Sequence, residues 1–309
     1  MSDNSNSELT MESAIILFGD YLLDKGKSER TISGYCKHDL KKLVEWLDTR
    51  WSELETDQDL YVTSVTKTDI RDIVSFWKTN TSLAASSVNR QIAAVKSFFA
   101  FLYEQNYVPT NPALDITMKR IQRQNQIKWL TRQQVGRLFH VIETQQHAGK
   151  LKKVRDKAVV SVLVNSGVRN FELTNIKIQH VSEGSLLIHS GKGDKQRIIA
   201  IGSNTYRAIQ EWLQFHEGDT EYLFYTTRES KLTTRAVQHI LKKYSDMAGF
   251  VVTPHMLRHT FAKQLADRVP RLELIADILG HSSVDVSRIY VTPSMREMQV
   301  AIESVEFIG

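Results

Sequence analysis

The sequence is 309 residues long, with 41% hydrophobic residues, 24% charged residues and a formal net charge of +5. This composition is typical of globular proteins and excludes a chain that is disordered throughout. No stretch approaches the roughly 18 consecutive apolar residues that predict a membrane-spanning helix. The polar stretch 1–10 lacks the apolar core of a secretion signal, and the single cysteine, Cys36, excludes an intramolecular disulfide and a cysteine-based zinc cluster. We therefore expect a cytoplasmic protein.

The charge is unevenly distributed along the chain. Residues 1–117 contain 12 Lys and Arg against 17 Asp and Glu, whereas residues 118–309 contain 28 against 18. A basic half next to an acidic half is typical of a protein that contacts a polyanion mainly through one part. Charge alone leaves nucleic acid as one interpretation among others, because many basic proteins bind none.

The first part of the chain shows helical periodicity throughout. Four helices are predicted, at about 11–25, 28–47, 68–79 and 86–106. Gly26 is expected to end the first helix, and the polar stretch 48–59 separates the second helix from the third. Four helices in so short a stretch predict a small bundle over 11–117, preceded by a flexible tail at 1–10.

Pro109 and Pro112 interrupt the helical pattern, and the basic, aperiodic stretch 118–128 is predicted to be a linker. The remainder, 129–309, is predicted to be a second domain, mostly helical, with one β-hairpin at 185–201. The fold class is therefore mainly α with a small antiparallel β-sheet. Helices of this domain are predicted at about 131–145, 152–167, 170–176, 203–216, 233–248, 255–268, 271–279, 284–290 and 294–306.

Five short segments of the second domain contain polar residues in a notable order. They centre on Arg169, on Lys192 between two glycines, on His255-Met-Leu-Arg258, on His281 after Leu279-Gly280, and on Tyr290. His255 and Arg258 are three residues apart and therefore share one helix face. Taken singly, each has an ordinary structural interpretation: a surface ion pair, a solvated turn lysine, a histidine at a helix C-terminus, or a packed tyrosine.

Together these side chains supply what a metal-free exchange of phosphodiester bonds requires. Two guanidinium groups can hold the non-bridging oxygens and neutralise charge that builds on phosphorus. A tyrosine hydroxyl can be the nucleophile and form a covalent phosphoenzyme without ATP. A histidine can help remove its proton, and a lysine can protonate the departing 5′ oxygen. The sequence contains no Walker loop, acidic metal cluster or HExxH motif, so we expect no metal and no cofactor.

The order Arg, Lys, His-x-x-Arg, Leu-Gly-His, Tyr resembles the tyrosine recombinase/integrase family, and most closely its two-domain Xer-like site-specific recombinases. The resemblance implies a catalytic set of six residues: Arg169 and Arg258 as phosphate clamps, Lys192 as general acid, His255 as candidate general base, His281 as a further hydrogen-bonding group to the phosphate, and Tyr290 as nucleophile. It extends to the first domain, where the segments 28–35 and 87–99 resemble the family's SAM-like, four-helix core-binding domain.

The same resemblance implies how the protein would bind DNA. The expected partner is double-stranded DNA with an inverted-repeat core site, held by both domains of each chain in a tetramer that acts on two sites. The residues expected to face the DNA lie on predicted helices: Thr31, Lys37, Ser87, Arg90, Lys96, Arg235, Gln238, His239 and Lys242. The last four lie on the predicted helix 233–248, which has the form of a helix entering a major groove. The final helix, 294–306, is expected to dock either into a neighbouring protomer or onto its own domain.

The implied function is site-specific DNA recombination through a 3′-phosphotyrosyl intermediate and a Holliday junction. One alternative is a type IB topoisomerase, which shares the chemistry but reseals the strand it cut; the Xer-like first domain and the short chain disfavour it. Another is a DNA-binding accessory protein with a vestigial site, which would be expected to have lost at least one of the six side chains. The residues leave open whether the reaction serves resolution, integration, excision or inversion.

Overall fold

The computed structural model describes residues 9–52, 60–80, 82–119, 128–146, 149–189, 196–217, 219–226, 229–269, 271–280, 283, 286–287 and 290. The chain divides into two compact units, Met1–Gln124 and Asn125–Gly309. The predicted linker, 118–128, spans the boundary between them. None of the helices among the described residues is both long and apolar enough to cross a membrane.

The first unit is a helical bundle, as the sequence predicts. Its α-helices are α1 (Met11–Asp24), α2 (Glu29–Ser33), α3 (Leu40–Ser52), α4 (Lys67–Thr79) and α5 (Ala85–Glu104). The hydroxyls of Thr10, Ser28 and Thr66 each accept a hydrogen bond from a backbone N–H in the first turn of α1, α2 and α4. Such caps satisfy N–H groups that a helix start leaves free, and they explain where these helices begin.

The core of the first unit is built around α5. This helix is buried along most of its length, and Phe98 meets Phe18 of α1 edge to face with ring centroids 5.5 Å apart. The ring centroid of Phe101 also lies 5.5 Å from that of Phe18. Aromatic contacts of this geometry add to the free energy of burial, and they hold α1 against α5.

One turn of the second predicted helix is not α-helical. The periodicity predicts a single helix at 28–47, but residues Gly34–Asp39 between α2 and α3 form a π-helical turn. Asp39 at its end is fully buried, and its Oδ1 accepts a hydrogen bond of 2.8 Å from Arg90 Nη2 of α5. A π turn adds one residue to the helical repeat, and here the wider turn coincides with the acidic side chain that faces the core.

The second unit is mostly helical. Its α-helices are α6 (Arg132–Thr144), α7 (Lys150–Ser166), α8 (Asn170–Thr174), α9 (Ser203–Leu213), α10 (Thr234–Ala248), α11 (Pro254–Ala266) and α12 (Leu272–Leu279). Helix α7 packs against α6, α9 and α11, and its residues from Ala158 to Val164 are all buried. It is therefore the central helix of the unit, and its C-terminal end leads directly into the Arg169 segment.

A small antiparallel sheet completes the second unit. Its strands, in the order β1-β2-β3, are β1 (Val181–Ser182), β2 (Ser185–His189) and β3 (Gln196–Ala200). Strands β2 and β3 confirm the predicted hairpin, whereas β1 is too short to give an alternating pattern in the sequence. His189 pairs with Gln196 at the end of the hairpin next to its connecting loop, and that loop, with Lys192, lies outside the described residues. The predicted helix 294–306 also lies outside them, as does most of 284–290.

Candidate active site

Two helix ends meet at the centre of the candidate site. Helix α7 ends at Gly167 and α12 ends at Gly280, and both glycines have a left-handed backbone with φ of 64°. A Cβ added at Gly167 would lie 2.4 Å from Phe261 Cδ1, and one at Gly280 would lie 2.9 Å from Arg197 Cζ. The backbone angle favours glycine at both positions, and at Gly167 the ring of Phe261 also leaves no room for a Cβ.

Arg258 joins these two helix ends. It lies on α11 with its side chain buried, and it donates from Nη1 to Gly167 O at 2.6 Å and from Nη2 to Leu279 O at 2.9 Å. Burial, followed by repulsion from Arg169, lowers the pKa of Arg258 to about 10, so the guanidinium stays charged at neutral pH. A positive charge is thus fixed at the point where the two helices end.

Arg169 supplies a second guanidinium at the same place. It donates from Nη1 to Glu172 Oε1 at 2.9 Å and from Nη2 to Gly280 O at 2.8 Å. Its backbone N–H donates to Glu172 Oε2 at 2.8 Å, the return contact of a helix-capping pair, at the start of α8. The Arg169 side chain is nevertheless 42% exposed, so a ligand from solvent can reach it.

A buried carboxylate, Glu172, holds Arg169 and Arg197 together. The Glu172 side chain is 2% exposed, and Arg197 of β3 donates to it twice, from Nη1 to Oε1 at 2.9 Å and from Nη2 to Oε2 at 2.8 Å. Burial acts to raise the pKa of Glu172, but hydrogen bonds from Arg197 and Arg169 and the charge of Arg197 outweigh it and bring the pKa to about 2. The ionised carboxylate therefore ties Arg169 to a strand of the hairpin.

Glu172→Gln is expected to destabilise the second unit in a pH-dependent way. The pKa of Glu172 is about 2 in the folded chain and 4.5 ordinarily, so its stabilisation is fully present above about pH 4.5 and is lost as pH falls towards 2. The linked free energy is about 3 kcal/mol at pH 7 and about 1 kcal/mol at pH 3. Urea unfolding of the wild type and of Glu172→Gln, from pH 7 to pH 3, measures this difference in the free energy of unfolding. Glu211→Gln, at an exposed ion pair with Lys157, is the matched control and should change little. If Glu172→Gln lost the same free energy of unfolding at pH 3 as at pH 7, the low pKa assigned to Glu172 would be contradicted.

Helix α11 also presents two histidines one turn apart. The ring centroids of His255 and His259 lie 4.2 Å apart, and His255 is exposed. Partial burial, followed by the charges of Arg258 and Arg169, lowers the pKa of His255 below its ordinary value of 6.5. The ring is therefore neutral at neutral pH and able to accept a proton, which fits the predicted general base.

Tyr290 lies beside α11 and is only 3% exposed. Its hydroxyl oxygen is 2.5 Å from His259 Nδ1. Burial raises the pKa of Tyr290, an effect that the charge of Arg258 partly opposes, so the phenol is protonated at neutral pH. The ring packs in a small apolar cluster with Ala262, Ala266, Ile275 and Leu279. A phenol in this state needs a base before its oxygen can act as a nucleophile.

Positive charge is in excess at this site. Among the described residues, three guanidinium groups lie here, those of Arg169, Arg197 and Arg258. The Glu172 carboxylate binds the first two, and Arg258 binds backbone carbonyls. Such a cluster favours an anionic ligand, and the planar guanidinium matches the two non-bridging oxygens of a phosphodiester. No three His, Cys, Asp or Glu side chains in the described part of the chain come together in a way that could hold a metal ion.

The structure brings four of the six predicted catalytic residues to one place: Arg169, His255, Arg258 and Tyr290. Lys192 and His281 lie outside the described residues, and their roles stay predictions. The catalytic role of each residue in the set likewise rests on the resemblance and the geometry.

Three further residues belong to the site and were not singled out from the sequence. Glu172 and His259 stand inside the motifs, at i+3 from Arg169 and i+4 from His255, spacings that could have drawn attention to them. Arg197 carries no local signal, because its partner Glu172 lies 25 positions earlier in the chain.

Five predicted DNA contacts lie on the first unit: Thr31, Lys37, Ser87, Arg90 and Lys96. The first is half-buried and the next two are exposed. Arg90 donates to the buried Asp39, and Lys96 Nζ donates to Ile116 O at 2.8 Å. Both cations thus have structural partners, and contact with DNA by any of the five stays a prediction.

The other four predicted contacts lie on α10: Arg235, Gln238, His239 and Lys242. All four are exposed, and their spacing of three and four residues places them on one face of the helix. Lys242 pairs with Asp246 one turn on, at 3.2 Å. The exposed polar face has the form that entry into a groove requires, and the contact itself stays a prediction.

Two protein families match the chain. The phage integrase family matches residues 128–297, and the N-terminal SAM-like domain of phage integrases matches residues 15–106. The first match covers residues 128–297 of the second unit and includes all six residues of the predicted catalytic set.

Curated relatives and solved structures resemble the chain over nearly its full length. Tyrosine recombinase XerC of Leptospira interrogans is 28% identical over 296 residues, which cover 91% of this chain and 89% of the relative. Tyrosine recombinase XerA of Pyrococcus furiosus is 30% identical over 309 residues, 97% of each chain. A crystal structure of XerH site-specific recombinase bound to difH substrate, a pre-cleavage complex, has a TM-score of 0.73 at 19% identity over 96% of this chain and 97% of that one. At that identity the likeness concerns the fold.

Proposed function

The chain belongs to the phage integrase family and is a site-specific tyrosine recombinase, and we propose that Tyr290 cuts DNA by forming a 3′-phosphotyrosyl bond. The observation that carries the proposal is the position of a buried, protonated tyrosine hydroxyl beside α11, the helix that also supplies Arg258 and His255. Nucleophile, base and phosphate-binding charge therefore lie within a few helical turns of one another.

The proposed reaction exchanges one ester for another. Tyr290 Oη attacks phosphorus, its bond to phosphorus forms, and the bond from phosphorus to the 5′ oxygen breaks. The tyrosine proton passes to neutral His255, and Lys192 protonates the departing 5′ oxygen. Arg169 and Arg258 neutralise the charge that grows on the non-bridging oxygens. Because the phosphotyrosyl bond keeps the energy of the original ester, a 5′ hydroxyl can reverse the step without ATP.

The number of protein chains that the proposed reaction needs follows from the number of phosphodiester bonds that are cut. Exchange between two duplexes breaks four strands, and each chain contributes one Tyr290. A complete reaction therefore uses four chains, and the product of the first two exchanges is a Holliday junction. We assign two chains to each inverted-repeat site, and we place the enzyme in the cytoplasm.

The experiment that tests this function also identifies the DNA sequence that the enzyme cuts. Randomly nicked genomic fragments from the source organism are incubated with the protein, with EDTA or with Mg²⁺. A nick a short distance to the 3′ side of the cleaved bond lets the short fragment that carries the 5′ hydroxyl leave, so the covalent adduct persists. The mixture is denatured, protein-bound DNA is recovered, and the attached 3′ ends are sequenced.

Adducts clustered at one inverted-repeat sequence, equal in EDTA and Mg²⁺, are the expected result. Adducts scattered without sequence preference would favour a topoisomerase instead. DNA binding without any adduct would favour an accessory protein, and cleavage that stops in EDTA would refute the metal-free mechanism.

A further inference from the structure

His259 is in direct contact with the hydroxyl group that the proposed reaction uses. It lies on α11 one turn after His255, and its Nδ1 is 2.5 Å from Tyr290 Oη, with the ring centroids 5.6 Å apart. The two residues are 31 positions apart in the chain, so the contact comes from the fold and not from their positions in the sequence.

The surroundings of Tyr290 make this contact important for the position of its oxygen. The ring packs among four apolar side chains that offer no hydrogen-bond acceptor: Ala262, Ala266, Ile275 and Leu279. These contacts restrain the ring, but they have no directional preference for the hydroxyl. A buried hydroxyl without a partner costs roughly 1–3 kcal/mol. The contact with His259 satisfies the hydroxyl and fixes its direction.

The protonation states decide what His259 can do. Burial, followed by the nearby His255 and Arg258, lowers the pKa of His259 to about 4, and burial raises the pKa of Tyr290. At neutral pH a neutral imidazole therefore faces a phenol that keeps its proton. In the resting site His259 is therefore a hydrogen-bond acceptor, and the proposed reaction assigns the tyrosine proton to His255.

We propose that His259 is a positioning residue, whose Nδ1 accepts the hydrogen of Tyr290 Oη and holds the nucleophile in place before attack. The donated hydrogen leaves the lone pairs of the oxygen free for phosphorus. The inference rests on the proposed function, since it assumes that Tyr290 is the nucleophile. It concerns a residue that acts through Tyr290 and does not itself touch the phosphate.

Three substitutions separate the acceptor from the bulk of the side chain. His259→Asn places an amide oxygen close to the position of Nδ1, whereas His259→Gln places that oxygen one bond further out. His259→Leu removes the acceptor and replaces the imidazole with an apolar side chain of similar size. Gln264→Leu, half-buried on the same helix, is the matched control for an apolar replacement on α11.

The first readout is made without DNA. In protein labelled with ¹³C at the Cζ of tyrosine, the Tyr290 signal is assigned by its loss in Tyr290→Phe. We expect this signal to shift in His259→Leu, to return towards the wild-type position in His259→Asn, and to stay unchanged in Gln264→Leu. An unshifted Tyr290 signal in folded His259→Leu would overturn the proposal, whatever the enzyme does with DNA.

The second readout is the single-turnover rate of adduct formation on a nicked duplex that carries the mapped site. With DNA affinity unchanged, His259→Leu and His259→Gln should slow the adduct about 10- to 100-fold, because a small misplacement of a reacting atom costs about that much. His259→Asn should recover most of the rate, a rescue that a purely structural role would not give. Equal rates in the Leu and Asn variants, both folded by circular dichroism, would refute positioning. If the wild type forms no adduct, the proposed function fails while the ¹³C signal still reports the contact.

Discussion

Tyr290→Phe is expected to bind DNA as tightly as the wild type and to leave no protein covalently attached to it. The substitution removes one oxygen and keeps the ring in its apolar cluster. The protein should lose about 1 kcal/mol of stability with the hydrogen bond to His259. Without the hydroxyl no phosphotyrosyl bond can form, so the adduct falls to background.

Two assays on the same nicked duplex measure this outcome. A mobility-shift titration gives DNA affinity, and a denaturing gel gives covalent adduct. Tyr103→Phe is the matched control, because Tyr103 is 53% exposed on α5 of the first unit, and it should form adduct at the wild-type rate. Adduct in Tyr290→Phe would show that another residue is the nucleophile.

Arg258→Ala is expected to slow adduct formation roughly 10²–10³-fold or more, the effect of removing one preorganised donor to a developing charge. It should also destabilise the second unit. Its guanidinium donates to Gly167 O and Leu279 O, and each carbonyl left without a donor costs roughly 1–3 kcal/mol. Chemical denaturation and single-turnover adduct formation measure the two effects separately.

Arg258→Lys distinguishes charge from geometry. Lysine keeps the positive charge, but its ammonium group cannot reach two carbonyls and two phosphate oxygens in one plane. We therefore expect a partial recovery of stability and a cleavage rate still far below wild type. Arg207→Lys, at an exposed position of α9, should behave as wild type. A cleavage rate in Arg258→Lys equal to that of the wild type would refute the role of the planar guanidinium.

Most of the fold could be predicted because local patterns determine it. The apolar stripe of α5 and the end of α7 at Gly167 are visible as spacing in the sequence, and the structure confirms both helices. The π turn before α3 was not predicted, since helical periodicity cannot show that Asp39 faces inward towards Arg90. Strand β1 was missed because two residues cannot alternate detectably.

The candidate site likewise has residues that the sequence predicted and residues that it did not. The order of functional groups predicted Arg169, His255, Arg258 and Tyr290, which the structure brings together. The pairing of Glu172 with Arg197 and of His259 with Tyr290 depends on which segments pack together in the folded chain, and one sequence does not contain that information. The same limit applies to Arg90 and Lys96: the resemblance implies that they face DNA, and the sequence does not show their partners within the first unit.

The two hydrogen bonds from Arg258 to the helix ends have a consequence for how activity is lost in evolution. A lineage that no longer needs strand cleavage cannot discard Arg258 freely, because Gly167 O and Leu279 O would lose their donor and the fold would weaken. Tyr290 can become phenylalanine with its packing intact. A descendant that only binds DNA would therefore keep its arginine and change its tyrosine, so the tyrosine is the residue to inspect when activity is inferred from sequence.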